Sequence, residues 1–593
     1  MRKLLFACLA VVTMAGCELS NRNATLEDNK ELAALFDKYY AERMQYFPVE
    51  STQNGDSAYN DQLPVDFTDS YRATLKKFYG KYLTYLSKFE RDNLNANDKI
   101  SLDIFKREME MDIEGLSFHD NYTPSQQFWG LPLTMGQLGS GDGFQPFKTV
   151  RDYDNWLKRM YGFKAWADSA IVYFNKGIAA NYVLPKTLVV KMIPQMTAMV
   201  TDTASKSLFY GPVTKFPAGF SEADKKRLTD EYTKAIQTAI VPAYKELGDY
   251  FSNTYLAKAR VTTGINDVPD GAKYYKYLVR YWTTTDKSPD EIYNTGLAEV
   301  KRIRAIMDSV RVAVDFPSDL KAFFEYMKTD KQFMPYKTPQ EVLDAFRAIQ
   351  AKITPNLKKM FGRTPKTPFE IRQTEAFRAA SASAEYNQGS PDGTRPGIFY
   401  VPIVDATKFN TTSGMESLFL HEAIPGHHYQ VSLQQENQAL PKFRRFSWYG
   451  AYGEGWALYC ESLGKELGLY TDPYQYMGAL GDEMHRAVRL VVDVAMHTKG
   501  MTREQAIQYM MENEAISEDG ATAEIERYMA IPGQALSYKI GALKIRELRE
   551  KYAAQLKDAF KLSNFHDEFL KDGCMPLEIV EVKMDAWAKR QAK

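Results

Sequence analysis

The stretch Ser417-Leu-Phe-Leu-His421-Glu422-Ala-Ile-Pro425-Gly426-His427-His428-Tyr-Gln430 decides how the rest of this 593-residue chain is read. The whole sequence contains seven histidines, and three of them fall here. A His-Glu pair closing an apolar helical run, with more histidines one to two turns on, is the layout of a zinc hydrolase. Neutral imidazoles hold the metal, and the adjacent carboxylate takes a proton from the water that the metal activates. Zinc lowers the pKa of such a water from about 15.7 towards 7, so a carboxylate suffices as base. His421 is therefore the first predicted ligand and Glu422 the predicted general base. The competing view, a helix cap with surface histidines, sits poorly with a chain so sparing of His elsewhere.

The spacing departs from the usual pattern, in which the second ligand lies four residues on, on the same helix face. That position is Pro425. If the helix runs on through a Pro kink, His421 and His428 lie seven apart, about 20° from eclipsed and roughly 10.5 Å apart along the axis. If Pro425-Gly426 is a looped insertion, His427 takes the second place. Pro favours a break and Gly tolerates unusual dihedrals, so both geometries stand, with a lean to His427. The third ligand is expected from Trp448-Tyr-Gly-Ala-Tyr452-Gly453-Glu454-Gly455-Trp456-Ala-Leu-Tyr459-Cys460-Glu461. Glu454 opens a helical run between glycines that allow close approach. Glu461, seven residues on and on the same face, is its substitute. One zinc ion is the cofactor implied.

Working outward, the composition is that of an ordinary globular protein: 45% hydrophobic, 25% charged, 13% aromatic. Disordered, collagenous and coiled-coil classes are excluded. With 75 basic and 75 acidic residues the net charge is zero, which removes the electrostatic case for nucleic-acid binding. Arg2-Lys3, the apolar Leu4 to Met14 and small Ala15-Gly16 form a secretory signal in outline, Met1 to Gly16. Its apolar part is too short to span a bilayer. Ala15-Gly16-Cys17 is similar to a lipoprotein box, with Met14 where Leu is usual, so Cys17 is the predicted lipid attachment site. Residues 17–27 are the tether. The expected location is the bacterial cell envelope, with an N-terminal lipid as the only membrane contact. Two cysteines remain, Cys460 and Cys574, whose pairing the sequence leaves open.

Most of the body is helical by pattern. Tyr71 to Phe89, Ile100 to Leu116, Tyr153 to Tyr173 and Ala223 to Tyr255 carry apolar residues at helical spacing. Ser288-Pro289-Asp290-Glu291 and Thr338-Pro339-Gln340-Glu341 are N-cap signals ahead of Ile292 to Val312 and Val342 to Met360. The Tyr274, Tyr275, Tyr277, Tyr281 stripe reads as core or groove packing. One interval breaks the pattern: Glu370-Ile371-Arg372 and Ala380 to Tyr386 look extended, Gln388 to Gly397 is dense in turn residues, and Ile398 to Val404 reads as a strand. Pro402 cannot donate to a ladder, so an edge strand or bulge is predicted there. The fold class is mainly α, a large multi-helix body with a small antiparallel sheet beside the active-site helix. A helical part, 28–365, and a catalytic part, 366–593, are expected to form one continuous body.

The sequence resembles the bacterial family filed as a domain of unknown function, number 885, whose members look like helical zinc peptidases. The resemblance rests on HEAIPGHHYQ (His421 to Gln430), EGWALY (Glu454 to Tyr459), HRAVRLVVDVAMHTKGMTREQAI (His485 to Ile507) and ERYMAIPGQALSYKIGALKI (Glu526 to Ile545). It implies a zincin-like fold with a hydrolytic metal centre. The layout is more distantly similar to helical oligopeptidases and angiotensin-converting-enzyme-like peptidases, which lack the interrupted His-Glu motif. Arg486, Arg489, Asp493 and His497 share one helix face, either steadying the metal site or forming a structural ion-pair network. By analogy and spacing, Tyr538 or His497 polarises the oxyanion, and Gln534, Lys539 and Arg489 hold a substrate carboxylate or charge. The strand around Tyr400 aligns a substrate backbone by strand addition.

The expectation is a zinc-dependent peptidase acting on short peptides outside the cytoplasm. The alternatives are a metal-dependent hydrolase of another amide or ester, and a surface lipoprotein that binds nutrients in an aromatic-lined groove without catalysis.

Overall fold

Local chemistry starts and stops the helices where the cap signals fall. Ser288 caps Pro289–Ala313 and Glu291 returns the bond, a complete capping box. Thr338 caps Pro339–Met360. Each cap satisfies helix-end N–H groups that would otherwise lack partners, a contribution of about 1 kcal/mol. The computed structural model describes residues 27–141, 143–374, 383–390, 393 and 395–592. The signal peptide, Cys17 and the tether up to residue 26 lie outside the described residues, as do residues 380–382 of the Ala380 to Tyr386 segment.

The fold is mainly α. The predicted helices appear as Asp69–Leu86, Ala96–Gly115 and Val150–Ala179. Ala223 to Tyr255 is a continuous helical run with two π-turns, Ile236–Ile240 and Phe251–Tyr255. Its aromatic residues build a core of their own, where Tyr232, Tyr244 and Phe251 meet Tyr153, Trp156 and Phe163. Each such ring buries 150–250 Å², roughly 4–6 kcal/mol of gross transfer energy. A second core crosses position 365: Phe36 and Phe105, from the N-terminal helices, pack on Phe443 at ring separations of 4.7 and 5.3 Å.

The sheet corrects two expectations. Its strands are β1 (Phe369–Gln373), β2 (Glu385–Asn387) and β3 (Gly397–Val401), in the order β1-β3-β2. β1 runs parallel to β3 and β2 antiparallel, so the sheet is mixed. β3, which holds Tyr400, is central and not an edge. It ends at Val401, one residue before Pro402, so the ladder never asks the proline for an N–H. Cys460 and Cys574 are both buried and free.

Two helices that frame the site touch backbone to backbone. On Gly450–Glu461, a Cβ at Gly455 would stand 2.6 Å from Gly541 of Leu536–Leu556, and a Cβ at Gly541 would stand 1.9 Å from the Ala451 carbonyl. Only glycine allows that approach. Behind them runs Pro473–Thr498, whose stretch from Ala487 to His497 is buried on every face, as a helix inside a large body must be.

Candidate metal centre

The His-Glu segment is neither a plain helix nor a kinked one. Met415–Leu418 is α-helical, Phe419–Ala423 is a π-turn, and Ile424 is extended. The Ile424–Pro425 peptide is cis, and a new helix, His427–Glu436, starts after Gly426. Proline stops the first helix because it has no N–H to give. Glycine then lets the loop fold back on the first turn: a Cβ at Gly426 would lie 1.9 Å from the His421 carbonyl oxygen and 2.4 Å from that of Leu420. Trp456 holds the loop down, its indole N–H donating to the Pro425 carbonyl at 2.9 Å.

This insertion brings the His427 ring against that of His421, centroids 4.9 Å apart and nearly perpendicular. Glu454 enters from Gly450–Glu461. Its Oε2 lies 3.5 Å from His421 Nε2 and 3.6 Å from His427 Nε2. The three ligand atoms lie within 4.8 Å of one another. Ligands at about 2.0–2.1 Å from a tetrahedral ion stand about 3.3–3.4 Å apart, which both Glu454 distances approach, so the chemistry and spacing of the group suit a zinc-sized ion. Held by these three alone, an ion would keep a fourth position open, as catalytic zinc sites do and structural ones do not.

His428, the other candidate, turns away. Its Nδ1 lies 3.0 Å from the Tyr386 hydroxyl and 3.3 Å from that of Ser432. Burial pulls its pKa down to about 4. Glu461, the substitute ligand, acts through His421: its Oε1 lies 2.7 Å from Nδ1, which fixes the tautomer that turns the Nε2 lone pair towards Glu454 and His427. Arg486 stands 4.0 Å from Glu461, and Asp482 joins Arg486 to Ser417. The flanking glycines serve packing on both sides: Gly455 admits the neighbouring helix, and Gly453 lies under the Trp448 ring, 2.2 Å from where its Cβ would be.

The electrostatics ask for a cation. Burial lowers the pKa of His421, but its bonds to Glu454 and Glu461 more than reverse this and lift it to about 10. Burial raises that of Glu454, yet His421 and His427 hold it far below the ordinary carboxylate range. Glu454 and Glu461 thus favour positive charge at His421, which a proton or a metal ion can supply.

Glu422, next to His421, meets the middle of β2, its Oε2 accepting from the Tyr386 backbone N–H at 3.0 Å. The strand bordering the site is therefore β2, and β3, with neighbours on both sides, has no edge on which Tyr400 could add a substrate strand.

The remaining candidates are dispersed. Tyr538 is part-buried with its ring 4.7 Å beneath the Arg489 guanidinium. Arg489 is committed to Glu524, Tyr528 and His485. Lys539 is 1% exposed and divided between Glu299 at 2.9 Å and Glu483 at 2.8 Å, an internal ion network and not a carboxylate receptor. Gln534 accepts from Arg527. His497 is fully buried, with Nδ1 accepting from the Ile265 N–H and Nε2 donating to the Tyr528 carbonyl, so no nitrogen remains for an oxyanion. Asp493 accepts from Tyr275 and from the N–H of Gly533, fixing the Pro-Gly turn at φ +82°. Of that helix face, Arg486 reaches the metal ligands' partner and the rest is structural. Sequence reasoning missed Tyr386 and Trp456. No local signal marks them, because both act on the His-Glu segment from elsewhere in the fold.

The chain belongs to the bacterial protein family of unknown function DUF885, which matches residues 48–584. A crystal structure of "the putative lipoprotein from Colwellia psychrerythraea" superposes with a TM-score of 0.86 at 27% identity, over 94% of this chain and 99% of the other. A structure of "a putative lipoprotein of unknown function from Shewanella oneidensis" gives a TM-score of 0.73 at 20% identity, over 93% and 99%, and shares the fold. No curated protein matches the chain. Among the described residues, no helix is long and apolar enough to cross a membrane.

Proposed function

We propose that this member of the family is a zinc-dependent peptidase of the bacterial envelope, tethered through Cys17 and acting on short peptides. The observation that carries the proposal is the meeting of His421, His427 and Glu454 within 4.8 Å of one another, with Glu422 next to His421 in the chain and close enough to act on it electrostatically. A zinc ion held by these three would supply Lewis acidity, polarising a scissile carbonyl and acidifying a water.

The chain's own groups divide the remaining work. Glu422 takes the proton of the attacking water and passes it to the leaving nitrogen; the Tyr386 N–H holds one of its oxygens and so aims the other. Glu461 keeps His421 in the ligating tautomer. β2, bordering Glu422, takes the substrate-aligning role expected of the Tyr400 strand. Tyr538 is the remaining candidate for stabilising the oxyanion. The name given to the Colwellia relative and the Ala15-Gly16-Cys17 ending support the envelope location.

The test is metal analysis of the purified full chain together with a peptide-library assay of wild type and Glu422→Gln. The proposal expects one zinc per chain in both proteins and cleavage by wild type, with a loss of 10²-fold or more in the variant. A chain that takes up no zinc, or a variant as active as wild type, overturns it. Cleavage of esters or non-peptide amides alone would leave a metal hydrolase of another substrate class.

A further inference from the structure

Beside the metal centre lies a cavity of about 280 Å³ between the N-terminal helices and the start of Gly450–Glu461. Trp448 is the partition. Its ring lines the cavity and stands 5.8 Å from that of His427. It also covers Gly453, the residue before Glu454. Gly450, also on the cavity wall, is one helical turn from Glu454, about 6 Å along the axis.

The charges on the wall do not balance. Glu50, Glu108 and Asp112 face it, with Arg43 and Arg107. Both guanidiniums are taken: Arg43 pairs with Glu50, and Arg107 pairs with Glu578 at 2.6 Å and donates to the Arg280 carbonyl. Among the described residues, Glu108 accepts only from the neutral Tyr449 hydroxyl. The Asp112 carboxylate is in no hydrogen bond or ion pair among the described residues. Burial lifts Glu108 to about 7 in spite of the Tyr449 bond, and lifts Asp112 to about 6 in spite of Arg43. Arg43 and Arg107 act on these part-buried carboxylates only from a distance, with no bond to either, and a positive group entering the cavity would relieve the cost of their charge. The rest of the wall is rich in rings, among them Tyr281, Trp282, Phe446 and Trp448, whose faces attract cations.

We infer that this cavity is a subsite for an organic cation, an ammonium or guanidinium group of the substrate, with Asp112 and Glu108 as its counter-charges and Trp448 dividing it from the metal centre. The inference rests on the hydrolase reading above. It narrows the substrate to peptides that carry a positive charge near the scissile bond, on a Lys or Arg side chain or at a free amino terminus.

Two measurements on the zinc-loaded full chain test it. In calorimetric titration, n-butylammonium should bind saturably and at least tenfold more tightly than n-butanol. Asp112→Asn and Glu108→Gln, each first shown to melt like wild type, should each reduce that preference tenfold. Equal binding of the two probes, or a preference unmoved in both variants, overturns the subsite. In cleavage assays, peptides differing only in Lys against norleucine, each with a free or an acetylated amino terminus, identify the source of the charge. A Lys preference that survives acetylation assigns the side chain, and loss on acetylation assigns the amino terminus. Indifference to both overturns the subsite while leaving the peptidase standing. Butylammonium binding with no peptide cleaved would do the reverse.

Discussion

Gly426→Ala tests the folded-back loop on which the metal site depends. Gly426 sits at φ −71° and ψ −123°, where the loop doubles back onto the preceding turn. The added Cβ would lie 1.9 Å from the His421 carbonyl oxygen, where real Cβ atoms do not come closer than 3.0 Å. The loop must therefore open by about 1 Å, against a backbone atom of His421, the first proposed ligand. Coordination distances tolerate about 0.2 Å, so the displacement is some five times what the site can absorb. His427 follows immediately and takes the shift. A 1 Å misplacement corresponds to roughly 10²-fold in activity, about 2.7 kcal/mol. Zinc affinity measured by chelator competition should fall at least tenfold, and activity about a hundredfold. Gly481→Ala is the control. It lies on Pro473–Thr498 with no atom within 4 Å of the new Cβ, and should leave zinc binding unchanged while adding roughly 0.5–1 kcal/mol of stability. A Gly426→Ala protein that binds zinc within threefold of wild type would refute the account of the loop.

Two further substitutions probe the surroundings of the site. Glu461→Gln keeps the shape but removes the charge that orients His421 Nδ1, and zinc affinity should drop ten- to a hundredfold; an unchanged dissociation constant would deny Glu461 its orienting role. Asp493 is raised by burial to about 7, against about 3.9 in the unfolded chain, so between these values the unfolded state binds fewer protons and the Asp493 contribution to stability declines as pH rises. The melting temperature of Asp493→Asn relative to wild type should thus climb from pH 4 to pH 8, and a pH-independent difference would contradict the assignment.

The chemistry was legible where it depends on residue type and short spacing. His421, Glu422 and Glu454 stand out because a His-Glu pair within a cluster of three of the seven histidines, and a Glu between glycines, are rare enough to notice. The helices were legible because caps and apolar periodicity act within a few residues. The sheet was less so: Pro402 implied an edge strand, but the strand simply ends before it, and whether β3 is central depends on where β1 and β2 dock. The partners of His497, Lys539 and Arg489 were illegible for one reason. Each is polar and shares a helix face with the others or a motif with Tyr538, but spacing along a helix does not reveal which partners the neighbouring helices bring. Glu299 and Glu483 claim Lys539, and backbone groups claim both nitrogens of His497.

The residue order by itself determined a mostly helical body, an interrupted His-Glu segment and the acid that joins it, because these follow from local propensity and from the scarcity of histidine. The tertiary structure alone decided between His427 and His428, made Glu461 a partner of His421 and not of a metal, and enclosed Asp112 and Glu108 beside Trp448. Those outcomes turn on backbone approaches at Gly426 and Gly541 and on side chains from distant segments, and contacts across hundreds of residues leave no periodic trace in the chain.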